Sequence, residues 1–516
     1  MRSPTPFVNE PFTDFSVPAH AAAFRQALAR VEGQLGATWP CVIGGERVMT
    51  SATIASTNPA QPDQVIGRAA DAGVAEADRA IAAATAAFPA WSATTFEHRA
   101  AFLFEMAARV RRDKHTWSAW MVKEVGKSWA EADGDTAEAI DFLEYYAREA
   151  LRYGEGLPVI DTSDRNTCFY IPLGAGAVIA PWNFPFAILC GTVVSAVVAG
   201  NTVVMKPAEE SSTVAFRLME LFEAVGLPPG VVNLLTGNGE VCGARIVQHP
   251  DTRFISFTGS KAVGLWIAEQ ATKRGPGQRW IKRVVAEMGG KDAMVIDAVK
   301  NVEEAAAATV AAAFGFQGQK CSACSRAIVV DEVHDAFVGH LVAHTRKLKL
   351  GDPSDPTATF GPVVSQEAYD KTLRYIAIGA EEGTVVLGGK AVDRPGWFIE
   401  PTIVTDIAPD ARLAREEVFG PVLAVIRARD WHHALEIAND TEYGLTGGFF
   451  TDDEARVQEG IRTFHVGNLY VNRKCTGALV GAQPFGGYGM SGTCSKAGGP
   501  DYLGNFLQIK SVARKR

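Results

Sequence analysis

The chain has 516 residues, of which 47% are hydrophobic and 21% charged, with a formal net charge of −8; these are the proportions of a globular enzyme with two large lobes or several domains. There is no long basic run, and the basic tail Ala513-Arg514-Lys515-Arg516 is short, so the charge balance argues against the basic face of a nucleic-acid binder. Met1–Phe15 lacks an apolar core of signal-peptide length, and the cysteines, scattered apart from Cys321 and Cys324, read as reduced thiols, so a cytoplasmic protein is expected.

The N-terminal segment is expected to be mostly helical, because Ala75–Ala90 and Ala100–Arg112 carry apolar residues at helical spacing. Leu157–Pro172 alternates around Asp161-Thr162-Ser163-Asp164-Arg165-Asn166 and predicts a β-hairpin, with strand-like Phe506–Val512 as a candidate partner. Exposed strands of this kind often pair across a subunit interface. Ile171–Met205 carries no charge and exceeds the ~20 residues of a membrane helix. Pro181, Asn183, Pro185, Gly191 and Gly200 interrupt it, so it reads as strand, loop, helix and strand, with no membrane association. From Gly174 to Met288 strands and helices alternate. Thr202–Lys206 is a strand, Thr213–Ala224 a helix stopping at Gly226, and Val231–Leu235 and Phe254–Phe257 are strands, the last leading into Thr258-Gly259-Ser260. This βαβαβ order predicts a parallel sheet with ligands at the carboxyl ends of its strands. A second α/β stretch runs from Ala293 to Val466, with Ala-rich Val302–Phe314 as a buried helix.

Taken singly, the chemically interesting residues leave alternatives open. Cys321 is either an inert buried thiol or a nucleophile. Cys321-Ser322-Ala323-Cys324 has the spacing of a redox pair, but no second pair or His cluster completes a zinc site, and no metal is expected. Glu287 is a surface carboxylate or a general base. Asn183, between two prolines, is a turn residue or an oxyanion donor. The GxGxxG fingerprint is absent; instead Gly259 and Gly264 bracket a helix start after a strand, a spacing that would bring backbone N–H groups to a pyrophosphate.

Six segments in order resemble the aldehyde dehydrogenase superfamily: Pro181-Trp182-Asn183-Phe184-Pro185, Lys206-Pro207-Ala208-Glu209, Phe257-Thr258-Gly259-Ser260, Glu287-Met288-Gly289-Gly290-Lys291, Gly318-Gln319-Lys320-Cys321 and Glu416-Glu417-Val418-Phe419-Gly420-Pro421. The resemblance implies an α/β fold with a Rossmann-type NAD-binding domain over residues 1–155 and 174–288, with 467–495 returning to it. It implies a catalytic α/β domain over 289–466 and a small β oligomerisation flap made of 156–173 and 496–516. Cys321 would be the nucleophile, Glu287 the general base, and Asn183, with the Cys321 N–H, the oxyanion donor. Trp182, Lys206, Glu209, Gly259, Ser260, Gly264, Glu417 and Phe419 would hold the cofactor, expected to be NAD with weaker use of NADP. A homodimer or dimer-based oligomer is expected.

Within the superfamily, Phe316–Ser322, Asn472-Arg473-Lys474, Thr476–Gly481 and Gln483–Gly487 resemble the branch that acts on L-glutamate γ-semialdehyde, the open form of 1-pyrroline-5-carboxylate, in proline breakdown. In that branch Ser322 and the backbone of Gly477 and Ala478 would bind the substrate's α-carboxylate, Phe184 and Phe485 would flank its aliphatic part, and Glu138 would lie nearby. Cys324 departs from the branch pattern and could form an off-pathway disulfide with Cys321. The length suits a stand-alone enzyme, so transient contact with a separate proline dehydrogenase is an expectation. The rival readings are an enzyme for another small semialdehyde, a CoA-acylating relative (which generally lacks a carboxylate at the position of Glu287), and a non-catalytic structural relative.

Overall fold

The computed structural model describes residues 5–516, so the first four residues of the expected cofactor domain lie outside them. Thr202–Lys206 is buried at every position, as a strand covered on both faces must be, and this explains its β-branched, uninterrupted apolar run. It pairs in parallel with Ala175–Ile179 on one side and Val232–Leu234 on the other. Phe254–Thr258 and Arg283–Glu287 continue the parallel sheet outward, and Cys41–Ile43 and Glu46–Val48 close its other edge in antiparallel fashion. A second seven-stranded sheet runs in the order Thr384–Leu387, Thr402–Thr405, Val422–Ala428, Arg326–Val330, Ala293–Ile296, Thr446–Phe450, Asn468–Val471. All of its pairs but the first are parallel. The uncharged stretch resolves as expected into strand, loop, the buried helix Ala187–Val198, and strand. That helix is apolar on every face because it sits inside the first lobe, packed against the long helix Trp129–Gly154. Among the described residues no helix is long and apolar enough to cross a membrane.

Three sequence expectations need correction or refinement. The N-terminal segment is mostly helical, as expected, but not throughout. Between the helices Pro18–Glu32 and Val74–Ser92 lie five strands, three of which form a separate sheet. The missed signal is Gly44-Gly45, both at positive φ (62° and 86°), which turns the chain between Cys41–Ile43 and Glu46–Val48. Leu157–Pro172 is not a hairpin. Its strand Asp164–Pro172 pairs along its whole length with Leu507–Lys515, and only Leu157 bridges back to Cys168. The C-terminal partner wins because it offers a continuous antiparallel ladder.

The third correction concerns the segments after Val466. Asn468–Val471 pairs with Thr446–Phe450 and so belongs to the second sheet. The chain returns to the first lobe further on, where Gly492 bridges Glu287 and the Thr493 N–H donates to the Ala286 carbonyl at 2.8 Å. Residues 496–506 are not flap either. Tyr502, Leu503 and Phe506 are buried in the first lobe's core, and only the strand from Leu507 onward projects outward. Large aromatic side chains that can reach a core are held there by the apolar area they remove from water.

Candidate active site

The first sheet presents its chemistry at one edge. Ile179, Lys206, Thr258 and Glu287 are each the last residue of a parallel strand, and Trp182-Asn183, Glu209 and Ser260 follow immediately. Cys321 arrives from the second lobe. Its loop follows the helix Val302–Phe314 and is bent by three successive left-handed residues, Phe316 (φ 48°), Gln317 (φ 55°) and Gly318 (φ 69°). A Cβ on Gly318 would come within 2.5 Å of the Gly420 carbonyl, so only glycine fits there. Two non-glycine residues in this region store strain that the surroundings must hold. Gln317 Nε2 donates to the Pro362 carbonyl at 2.7 Å, and Gln319 Oε1 accepts from the Val364 N–H at 2.9 Å.

Asn183 is buried, and its Nδ2 donates to the Gln319 carbonyl at 3.0 Å, which ties the first lobe's turn to the cysteine loop. That leaves the amide's second hydrogen for another acceptor. Among the described residues the Cys321 N–H donates to no protein acceptor. Cys321 is half-buried, and burial pushes its thiol well up, helped by the nearby Asp292, Glu417 and Glu287 carboxylates, while the Ser322 N–H opposes the rise. The resting thiol therefore keeps its proton at neutral pH and needs a base.

Glu287 fits that need. It is buried, and one carboxylate oxygen accepts from the Ser495 N–H at 3.2 Å and from the Ser495 hydroxyl; the other has no protein partner. Burial raises it to about 7, against the lowering effect of the Ser495 bonds. A carboxylate that titrates near neutrality with a vacant, buried oxygen is well suited to proton transfer. As only the ionised form can accept a proton, kcat is expected to rise with pH through about 7 and level off above it. A kcat flat from pH 5.5 to 8.5, measured with chemistry rate-limiting, would remove Glu287 from the base role.

Glu417 lies across Gly289-Gly290. Its Oε1 accepts from the Gly290 N–H at 3.1 Å, and a Cβ on Gly289 would run into its carboxylate. Phe419 takes φ 58°, an outlier for a bulky residue, and meets Trp182 edge-on with ring centroids 5.6 Å apart. Lys206 is buried, with its ammonium 2.9 Å from the Pro207 carbonyl and 3.4 Å from Glu209 Oε1. The same Glu209 oxygen accepts from the Gly239 N–H at 2.8 Å.

Gly259 and Gly264 differ from their sequence reading. Their N–H groups are engaged by the carbonyls of Glu287 and Ser260, each at 3.0 Å, so neither points at a phosphate. Gly264 is required for packing, because a Cβ there would meet the Met288 sulfur at 2.5 Å. Ser260 caps the helix Lys261–Thr272 through its hydroxyl, which accepts from the Val263 N–H.

Of the expected substrate groups, Ser322 adjoins Cys321 and the Gly477–Ala478 loop packs against the cysteine loop. The Cys475 thiol contacts the Ser322 carbonyl at 3.6 Å and brings the Arg473–Ala478 loop against the cysteine loop. Among the described residues the N–H groups of Gly477 and Ala478 and the Ser322 hydroxyl donate to no protein acceptor. Phe184 and Phe485 are half-buried. Glu138 is also half-buried; burial and the Asp135 carboxylate raise it to about 8, partly offset by Lys127. The Cys324 thiol is buried, donates to the Arg326 carbonyl at 3.4 Å and neighbours Cys475, so it is turned away from a disulfide with Cys321. Ser495, Gly239 and the buried Lys127–Asp135 pair are site residues that the sequence reading did not reach.

The aldehyde dehydrogenase family model matches residues 48–512. A 1-pyrroline-5-carboxylate dehydrogenase of Geobacillus thermodenitrificans (strain NG80-2) is 55% identical over 509 residues, spanning 98% of this chain and 99% of the relative. A 1-pyrroline-5-carboxylate dehydrogenase from Thermus, solved with bound NAD, superposes with a TM-score of 0.98 at 49% identity over 100% of both chains. A proline utilization A structure from Bdellovibrio bacteriovorus superposes with a TM-score of 0.98 at 45% identity, covering 100% of this chain and 54% of that one. With its cysteine loop, buried carboxylate and asparagine turn assembled between two α/β lobes, and with relatives of this identity along its length, the chain belongs to the aldehyde dehydrogenase family.

Proposed function

We propose that the chain oxidises L-glutamate γ-semialdehyde to L-glutamate with NAD, through a thioester on Cys321. The observation that carries the substrate is the cluster of uncommitted donors beside the thiol. Among the described residues the Ser322 hydroxyl and the N–H groups of Gly477 and Ala478 have no protein acceptor, and the Cys475–Ser322 contact at 3.6 Å brings the two loops together. Such donors suit one carboxylate. Phe184 and Phe485 supply apolar walls for the methylenes, and Glu138, mostly protonated at neutral pH, a carbonyl acceptor for the α-ammonium. The names of the relatives support the same reading.

The chemistry assigned to the chain's residues follows from their placement. Glu287 accepts the thiol proton, and the Cys321 sulfur attacks the aldehyde carbon. The Asn183 amide and the Cys321 N–H hold the oxygen as it gains charge. NAD, when bound, supplies the hydride acceptor. Glu287 passes that proton to solvent and then takes one from water, which attacks the thioester; the acid is released and the Cys321 sulfur leaves as the thiolate.

The first sheet's edge fits the dinucleotide. Glu209 uses one oxygen on Gly239 and Lys206 and keeps the other for a ribose hydroxyl. A 2′-phosphate beside that carboxylate would be repelled, so NAD is preferred over NADP. Trp182, Glu417 and Phe419 would line the nicotinamide end, and Ser260 the pyrophosphate end. In this reading the lobe built on the first sheet is the cofactor domain and the lobe carrying Cys321 the catalytic one. The outward ladder of Asp164–Pro172 with Leu507–Lys515 carries exposed Phe169, Ile509 and Val512, which supports a homo-oligomer built through it. A cytoplasmic enzyme supplied by a proline-oxidising activity completes the proposal, in keeping with the likeness to the proline utilization A structure.

The test is a substrate panel followed by NADH absorbance. Donors built for a carboxylate are left unpaired by a plain alkyl aldehyde, so hexanal should show kcat/KM lower than the semialdehyde by about two or more orders of magnitude. Similar values for the two would sink the substrate assignment and leave the aldehyde dehydrogenase chemistry standing.

A further inference from the structure

Lys127 and Asp135 form an ion pair at 2.7 Å with both side chains 0% exposed. A charge pair this deep is costly to desolvate, and apolar residues of the same volume often stabilise a fold as well. Its contacts point to a second role. The Lys127 ammonium lies 3.9 Å from the centre of the Phe184 ring and 4.9 Å from that of Phe316. Asp135, meanwhile, accepts from the Ala187 N–H at 2.6 Å through its other oxygen. The pair thus grips the segment Asn183–Ala187 at two points, a ring and an amide. It also touches Phe316, the first of the left-handed residues that bend the cysteine loop. A desolvated ammonium against an aromatic face is attracted to it and fixes the ring's position.

We propose that the buried Lys127–Asp135 pair is a positioning device for this site, holding the Phe184 ring as the wall against the substrate's methylenes and keeping the Asn183 turn in register with the cysteine loop. The proposal rests on the substrate reading above for what Phe184 contacts. Neither residue touches the reacting atoms.

The test uses the full chain carrying Lys127→Met and Asp135→Asn together, which cancels both charges at nearly constant volume. Lys127→Met alone would bury an unpaired carboxylate. At matched folded fraction, KM for L-glutamate γ-semialdehyde should rise by roughly tenfold, because misplacement of about an ångström is enough for such losses. KM for acetaldehyde, too short to reach Phe184, should stay within about twofold of wild type, as should NAD affinity. A merely structural role would lower the active fraction for both aldehydes and leave their KM ratio unchanged, which overturns the proposal. If the double variant does not fold, Asp135→Asn alone, which keeps an acceptor for the Ala187 N–H and leaves the Lys127 ammonium near Glu131 and Glu138, should shift the same ratio in the same direction; an unmoved ratio overturns the proposal. If wild type fails to oxidise the semialdehyde, the substrate reading fails. The positioning role is then judged from a crystal structure of the variant, where a displaced Phe184 ring supports it and an unmoved ring overturns it.

Discussion

Cys321→Ala should lose aldehyde oxidation by about four or more orders of magnitude in kcat, as removal of a covalent nucleophile does elsewhere, while NAD affinity stays near wild type. The two readouts separate because the sulfur and the dinucleotide groups come from different lobes. Lys206, Glu209 and Gly239 are bonded to one another at the edge of the first sheet. Cys321 hangs from a loop of the second, anchored by Gln317 and Gln319. Alanine removes the thiol and leaves these anchors intact, so a fluorescence titration with NAD should be unchanged. Turnover above trace level in this variant would rule out the thioester.

Asn183→Ala should lower kcat by about 10²–10³-fold, the usual worth of one preorganised oxyanion donor. The Asn183 Nδ2 bond to the Gln319 carbonyl at 3.0 Å uses one of the amide's hydrogens and fixes the direction of the other. Because the same bond ties the turn to the cysteine loop, part of the loss could come from loop displacement. A crystal structure of Asn183→Ala separates the two contributions, because an unmoved Gln319–Cys321 loop assigns the loss to the missing oxyanion donor. Asn183→Asp keeps the shape but loses both the bond to the Gln319 carbonyl and the oxyanion donor, and puts a carboxylate where negative charge develops, so it should be no better than alanine. A fall of less than about fivefold in Asn183→Ala, with chemistry rate-limiting, would make the residue structural only.

The site was legible in the sequence where chemistry is packed into short segments. Pro181–Pro185, Glu287–Lys291 and Gly318–Cys321 each carry a functional group together with the proline or glycine its turn requires. The αβ alternation from Gly174 onward placed the first two of those segments at strand ends, while the third follows a helix. What stayed hidden depends on contacts between distant residues. Ser495, which holds Glu287, lies 208 positions away, and nothing local marks it. Nothing local marks Lys127 or Asp135 either; their role depends on contacts with Phe184 and Ala187. Gly259 and Gly264 were misassigned because a glycine needed for close packing against Met288 and one needed for phosphate contact look alike in one dimension. The N-terminal strands were missed because the Ala-rich helices outweighed the Gly44-Gly45 turn, whereas the C-terminal partner of Leu157–Pro172 was legible and only the hairpin within that segment was wrong.

The account turns on a covalent acyl group at Cys321 whose release needs the carboxylate of Glu287. Glu287→Gln keeps the size of the side chain but cannot accept a proton from water. Mixed with NAD and L-glutamate γ-semialdehyde and quenched in acid, this variant should form NADH slowly, because the thiol has lost its base too, up to about one equivalent of enzyme, and then turn over more slowly still. Mass spectrometry of the digested protein should find the glutamyl group on the Cys321 peptide. Full steady turnover at neutral pH with no acyl group on that peptide would contradict the thioester route and the role of Glu287 together.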